Sequence, residues 1–345
     1  MSSTTNKFTA SNLPSSWQEA LSKLITDPKE LFSLLGIDDE HLLKAAYQTI
    51  KIFPLKVTHS FAARIEKKNL HDPLLRQVLP IDIELQDIAG YKKDPLSETN
   101  SNPIPGLLHK YHGRVLVTLT SACAIHCRYC FRRHFPYAEN NPGRLGWEKI
   151  FAYIRNDSTI SEVILSGGDP LAVSDKALKL FCDEIEKIPH VKHLRIHTRM
   201  PIVLPQRITN EFIHWAMQSS LQIIIVIHAN HPREINDEVK NVLLELKAAN
   251  VVLLNQSVLL KGVNDDVSVL TELSQVLFSA GVLPYYLHVL DKVQGAAHFD
   301  IARDRAEMLY AQLAAHLPGY LLPRFVCEEP GKQSKTVLST TLFTG

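Results

Sequence analysis

The sequence predicts an α/β fold: a parallel sheet wound with helices, either open and doubly wound or curved into a partial or complete barrel, behind an N-terminal helical region. Two observations predict it. Beyond residue 105, six short apolar runs alternate with longer segments of helical period. Each run is followed by a polar cluster, and parallel sheets gather their chemistry at the carboxyl ends of their strands.

From the start to about Leu79 the pattern is helical, with Trp17, Leu21 and Leu24, then Leu31, Leu34 and Leu35 before Gly36, at helix spacing. The stretch 91–105 is rich in Asp, Ser, Asn and Pro and reads as a connection, with a boundary near residue 105. Strands are expected over 115–119, 163–165, 194–196, 223–227, 251–254 and 283–290. Helices are expected over 147–154, 177–188, 209–217, 238–249 and 269–280. The polar clusters that follow the strands are 121–133, Ser166-Gly-Gly-Asp-Pro170, His197-Thr-Arg199, His228-Ala-Asn-His231, Asn255-Gln-Ser257, and the pair His288 and Asp291. The chain divides into 1–105, a helical region and linker; 106–290, the βα unit; and 291–345, a C-terminal segment.

Lys and Arg number 37 against 36 for Asp and Glu, a formal charge of +1. No global basic field is available for nucleic acid or an anionic membrane. Met1-Ser-Ser-Thr-Thr-Asn-Lys has no charged and then apolar leader, and no apolar run approaches the roughly 18 residues of a membrane span, so the expected location is the cytoplasm. Five cysteines is an odd number, and three fall within eight consecutive residues, which suits metal ligation in a reducing compartment. Cys182 and Cys327 stand alone and read as packing residues.

Cys123-Ala-Ile-His-Cys127-Arg-Tyr-Cys130 places three thiolates on a loop just past a strand. Iron-sulfur clusters usually take four cysteines, so three leave one iron open to a ligand from outside the protein. Similar spacing also permits structural zinc, with His126 or a remote residue as fourth ligand.

CxxxCxxC with Tyr129 before the last cysteine resembles the cluster motif of the radical S-adenosylmethionine superfamily. The segments 119–133, 165–170 and 255–265 resemble the lysine 2,3-aminomutase family within it, and the resemblance runs from about Gly113 to Lys335. It implies a partial (β/α)6 TIM-type barrel. It implies a 4Fe-4S cluster on Cys123, Cys127 and Cys130, S-adenosylmethionine on the open iron, and pyridoxal phosphate on a lysine. In Glu328-Glu-Pro-Gly-Lys-Gln-Ser-Lys335-Thr that lysine is Lys335, with Lys332 a rival because Lys332, Gln333 and Ser334 replace the family's glycines.

The resemblance carries further roles residue by residue. Arg114 would face pyridoxal phosphate, and Arg132 the substrate carboxylate, as suits a planar fork that binds two oxygens. Ser166, Gly167, Gly168 and Asp169 would contact S-adenosylmethionine, and Gln256 would lie in the adenosyl or cofactor pocket. Asp291 and Glu328 match the acids that hold the substrate's ε-amino group, Glu328 standing where catabolic members have Asp. His228, with Asn230 and His231, either contacts cofactor or is structural, and both readings stay open. Arg128, Arg133 and Arg199 read as structural or surface residues.

Catabolic members are longer at the C-terminal end and carry further, zinc-binding cysteines. The form with Glu328 and Ser-Lys-Thr resembles the bacterial enzymes that make (R)-β-lysine for elongation factor P. The implied partners are L-lysine, an electron donor such as flavodoxin or ferredoxin, and elongation factor P with its lysylating ligase. Oligomeric state, a homo-oligomer included, is left open. Two rivals are a radical S-adenosylmethionine enzyme acting on another amino acid and a zinc-binding, non-enzymatic module.

Overall fold

A computed structural model describes residues 16–140 and 142–338; the polar opening of the chain and its final residues lie outside them. Nine strands form one sheet in chain order: β1 Leu107–Tyr111, β2 Arg114–Thr120, β3 Glu162–Gly167, β4 His193–Thr198, β5 Gln222–Ile227, β6 Val252–Val258, β7 Leu283–His288, β8 Arg324–Cys327 and β9 Thr336–Val337. Every pairing from β2 to β8 is parallel. β1 and β9 add antiparallel edges.

The six expected strands are β2 to β7, and β8 is a seventh parallel strand. The five expected helices occupy Gly143–Asn156, Asp175–Glu186, Asn210–Gln218, Asp237–Ala248 and Val267–Ser279. Four begin at a side chain that accepts a backbone N–H of the first turn: Ser174, Thr209, Asn236 and Asp266. A further helix, Arg303–His316, covers β8.

Successive strand residues face opposite sides of a sheet. On β2 to β5 the outward set is Val115, Val117, Leu119, Val163, Leu165, Leu194, Ile196, Ile223, Ile225 and Ile227, packed with Ile150, Phe151, Phe181, Phe212 and Leu243 of the helices. The inward set is polar towards the carboxyl ends, with Thr118, Ser166 and His197, and continues through Gln256 and His288. The sheet curls far enough that Lys110 of β1 reaches Glu328, just past β8, at 3.1 Å. The barrel is therefore partial, with a seam that side chains bridge.

The N-terminal region has helices at Trp17–Ser22, Pro28–Leu35, Glu40–Thr49, His59–Ala62 and Pro73–Arg76. Leu24 falls beyond the first of these, and Gly36, at φ 65°, closes the second. The region shares the barrel's apolar cluster through Trp17, Leu31, Phe61 and Leu74. It also holds the cysteine loop by backbone: His126 N donates to Lys56 O and Arg128 N to Gln77 O, both at 2.9 Å. Arg128, fully buried, donates Nε and Nη2 to Glu84, and Arg133 Nη2 joins the same carboxylate at 2.7 Å. These two arginines are thus structural, and neither is a surface residue. Charges this deep persist only when paired and hydrogen-bonded.

Candidate active site

The cysteine loop leaves β2 at Thr120 and is seated on the turn that follows β3. Gly168 N donates to Thr120 O at 2.9 Å, and Asp169 N to Ala122 O at 2.8 Å. A Cβ on Gly168 would lie 2.5 Å from Ala122 O and 2.7 Å from Ser121 C, both backbone atoms. Gly167 adopts φ 111°, which L side chains rarely take. The glycine pair is thus required for the close approach of this turn to the loop. Gly168→Ala should cost about 1–3 kcal/mol by overpacking and lower the iron retained per chain; thermal unfolding and iron analysis would check both.

Asp169 is buried and its carboxylate is fully engaged: Oδ1 accepts from Leu171 N at 3.0 Å and Thr198 Oγ1 at 2.6 Å, and Oδ2 from Arg199 N at 2.7 Å. It ties the turn after β3 to the end of β4. Arg199 in turn donates Nη1 to Cys127 Sγ at 2.7 Å and Nη2 to Glu234 at 2.8 Å. It is buried, and its cation faces the thiol that a metal would need as thiolate. Burial and the neighbouring Cys127 push the Cys130 thiol up to about 11, and burial with Asp169 raises that of Cys123. Such thiols lose their protons to a bound metal, whose charge reverses the local balance.

Three cysteines on one loop suit a cluster that leaves one iron open. His126 has its Nδ1 on Pro54 O at 2.8 Å and its ring stacked on Phe53 at 4.8 Å. Among the described residues no three His, Cys, Asp or Glu side chains converge on a single ion. Cys182 is buried in the main core, and Cys327 packs on the second apolar cluster.

Around the inner wall, His228 offers Nε2 to the Tyr129 hydroxyl at 3.1 Å with the rings stacked at 5.6 Å. Burial and Arg199 drive it down to about 3, so it is neutral. Asn230 and His231 are spent internally: Asn230 Nδ2 donates to Tyr129 and Gln77, and His231 Nδ1 accepts from Arg233 N. Asn255 and Ser257 grip Ala229, the residue after His228, at 2.8–3.1 Å. Gln256, between them, takes the inner face of β6 by alternation. His197 and His288 are held neutral by burial, with Arg195 acting next on His197 and Lys335 on His288; His197 Nε2 has no hydrogen-bond partner.

Arg132 and Lys335 are joined by a chain of alternating charge. Arg132 donates Nε and Nη2 to Glu98 at 2.7 and 2.8 Å and Nη1 to Ser166 Oγ at 3.0 Å. Lys110 lies 3.3 Å from Glu98 and 3.1 Å from Glu328, and Lys335 Nζ donates to Glu328 at 2.6 Å. Burial pushes the Glu328 carboxyl up, but Lys335 and Lys110 outweigh it and hold it at about 2. Asp291 moves the other way: burial, then the charge of Glu328, raise it to about 7. The hairpin that pairs Cys327 with Thr336 puts Lys335 beside Glu328, while Lys332 is exposed.

Arg114 sits at the amino end of β2, away from the cysteine loop, over the Tyr111 ring at 4.8 Å. It lines an open surface groove with His112, Glu162 and His193 at the foot of the barrel. Its link to the charged chain runs through Tyr111, whose hydroxyl is raised by burial and by Glu328. Glu98 and Lys110 escaped the sequence reading. Glu98 comes from the 91–105 stretch that reads as a solvated connection, and its burial alone reveals it.

The chain is similar to known proteins over nearly its whole length. Residues 117–271 match the radical SAM superfamily. The chain is 47% identical over 333 residues to L-lysine 2,3-aminomutase of Escherichia coli strain K12, covering 96% of this chain and 97% of that protein. It is 46% identical to L-lysine 2,3-aminomutase of Haemophilus influenzae, covering 93% of this chain and 95% of that protein. It is 36% identical to L-lysine 2,3-aminomutase of Clostridium subterminale, covering 93% of this chain and 77% of that protein. With a radical SAM match over residues 117–271 and identities of this size over nearly its whole length, the chain belongs to the lysine 2,3-aminomutase family of isomerases.

Proposed function

We propose that the protein converts L-α-lysine to (R)-β-lysine, which a ligase then attaches to elongation factor P, with electrons supplied by a flavodoxin or ferredoxin. The family implies three cofactors: a 4Fe-4S cluster, S-adenosylmethionine and pyridoxal phosphate. Cys123, Cys127 and Cys130 would hold the cluster. Ser166 to Asp169, Gln256 and His228 would border S-adenosylmethionine, and Lys335 with Arg114 would hold pyridoxal phosphate. When bound, these groups supply a hydrogen-abstracting adenosyl radical and a π-system across which an amino nitrogen can migrate.

The observation that carries the reading is a part-buried run of charged side chains with Arg132 at one end and Glu328, with Asp291 close enough to feel its charge, at the other, which suits the two charged ends of lysine. Arg132 has three of its five N–H groups engaged by Glu98 and Ser166. The remaining two, one on each terminal nitrogen, suit a substrate carboxylate. Glu328 and Asp291 receive the distal ammonium, and the neutral His197, His228 and His288 line the wall without adding charge. The chain's part is to hold carbon, nitrogen and radical source in one geometry and to keep water out. The R form and the destination in elongation factor P rest on the resemblance of Glu328 and Ser-Lys-Thr.

The experiment is anaerobic incubation of the reduced, cluster-loaded protein with S-adenosylmethionine, pyridoxal phosphate and L-lysine, with mass and chiral analysis. (R)-β-lysine that depends on both cofactors supports the proposal, whereas 5′-deoxyadenosine without β-lysine overturns the substrate. A pH dependence follows from Asp291. Its carboxyl, raised to about 7, is protonated below that pH and offers the ammonium no charge. The KM for lysine should therefore rise as pH falls through 7, and Asp291→Asn should flatten that limb.

A further inference from the structure

Both oxygens of Glu328 are taken by cations of the chain itself, Lys335 on Oε2 at 2.6 Å and Lys110 on Oε1 at 3.1 Å. The group that Lys335 presents is a primary ammonium on a four-carbon stem. The distal end of free lysine is the same group. A third ammonium at this carboxylate would meet two like charges within a few ångströms in a partly buried site, where they are weakly screened.

We propose that Lys335 and the distal ammonium of the substrate are alternative occupants of Glu328, so that covalent capture of Lys335 by pyridoxal phosphate opens the substrate's ammonium site. This rests on Lys335 being the cofactor lysine. When its ammonium condenses with the aldehyde, a carbon–nitrogen double bond forms. The aldehyde oxygen leaves as water with two of the ammonium protons, and the third passes to solvent. Glu328 thereby loses the partner on Oε2 and keeps Lys110 on Oε1, which holds the carboxylate ionised and aimed at the pocket. Cofactor therefore loads before substrate, and the acid that recognises lysine is kept paired until then.

The probe is 6-aminohexanoate, which has the two charged ends of lysine and no α-amino group, so its binding reads those ends alone. Titration calorimetry on the full, cluster-loaded chain would compare wild type with and without pyridoxal phosphate, and Lys335→Met without it. The expected result is binding about tenfold or more tighter to Lys335→Met than to wild type, both without pyridoxal phosphate. Adding Glu328→Gln to Lys335→Met should abolish the gain. Equal binding to Lys335→Met and wild type overturns the proposal, as does a gain that survives Glu328→Gln. Iron content and thermal unfolding of each variant establish that it is folded. Formation of β-lysine by loaded wild type is measured separately, so failure of the competition is distinguishable from failure of the proposed function.

Discussion

Cys127→Ala brings iron and sulfide after anaerobic reconstitution to a small fraction of the wild-type content and takes 5′-deoxyadenosine formation to background. Three thiolates leave no spare ligand, and the cation of Arg199, 2.7 Å from the Cys127 sulfur, then has no thiolate to face. Cys327→Ser is the control: that thiol packs on the second apolar cluster, and its loss leaves iron content unchanged. Iron retained at wild-type level by Cys127→Ala would remove this residue from the cluster. Metal analysis of both variants, with the visible absorption of the cluster, is the check.

Glu328→Gln should cost about 3 kcal/mol in transition-state binding of lysine, on the order of a hundredfold in kcat/KM. The amide keeps the shape of the acid and removes the charge that pairs with Lys110 and would pair with a substrate ammonium. Asp291→Asn acts less strongly at neutral pH, because burial already keeps part of that carboxyl protonated. Iron content and the uncoupled cleavage of S-adenosylmethionine should be unchanged in both, since neither acid touches the cysteine loop. Steady-state kinetics with lysine, beside 5′-deoxyadenosine measured without it, separates the two effects. A loss of iron in Glu328→Gln would mean that the acid supports the fold of the barrel and not its specificity.

The parallel strands could be read from the chain because Val163–Leu165-type runs are apolar on both sides, as strands under a helical layer must be. β1 could not, since its Leu-Leu-His-Lys-Tyr turns polar half-way. β8 is four residues behind Pro323, too short for a period to emerge, and its outward Phe325 finds its partners only in tertiary packing. The helix Arg303–His316 has a narrow apolar stripe, Ala306, Leu309 and Leu313, amid polar residues and small alanines. The three cysteines were legible because their ligand chemistry is local. Arg128 and Arg199 were not, because their acids, Glu84 and Glu234, lie 44 and 35 residues away and spacing carries no trace of such pairs. Glu98 illustrates the same limit from the other side: a polar stretch reads as solvated until the fold folds it inward.

The open seam between β1 and the β8–β9 hairpin is bridged by Lys110 and Glu328 where a complete barrel would have a ladder of backbone bonds. A ladder holds one girth whatever lies within. A bridge of charges has one half, Glu328, that can also pair with another cation, as it does with Lys335. The barrel is thus closed by the same charges that face its interior, so that a substitution at Lys110 bears on the seam as well as on Glu328.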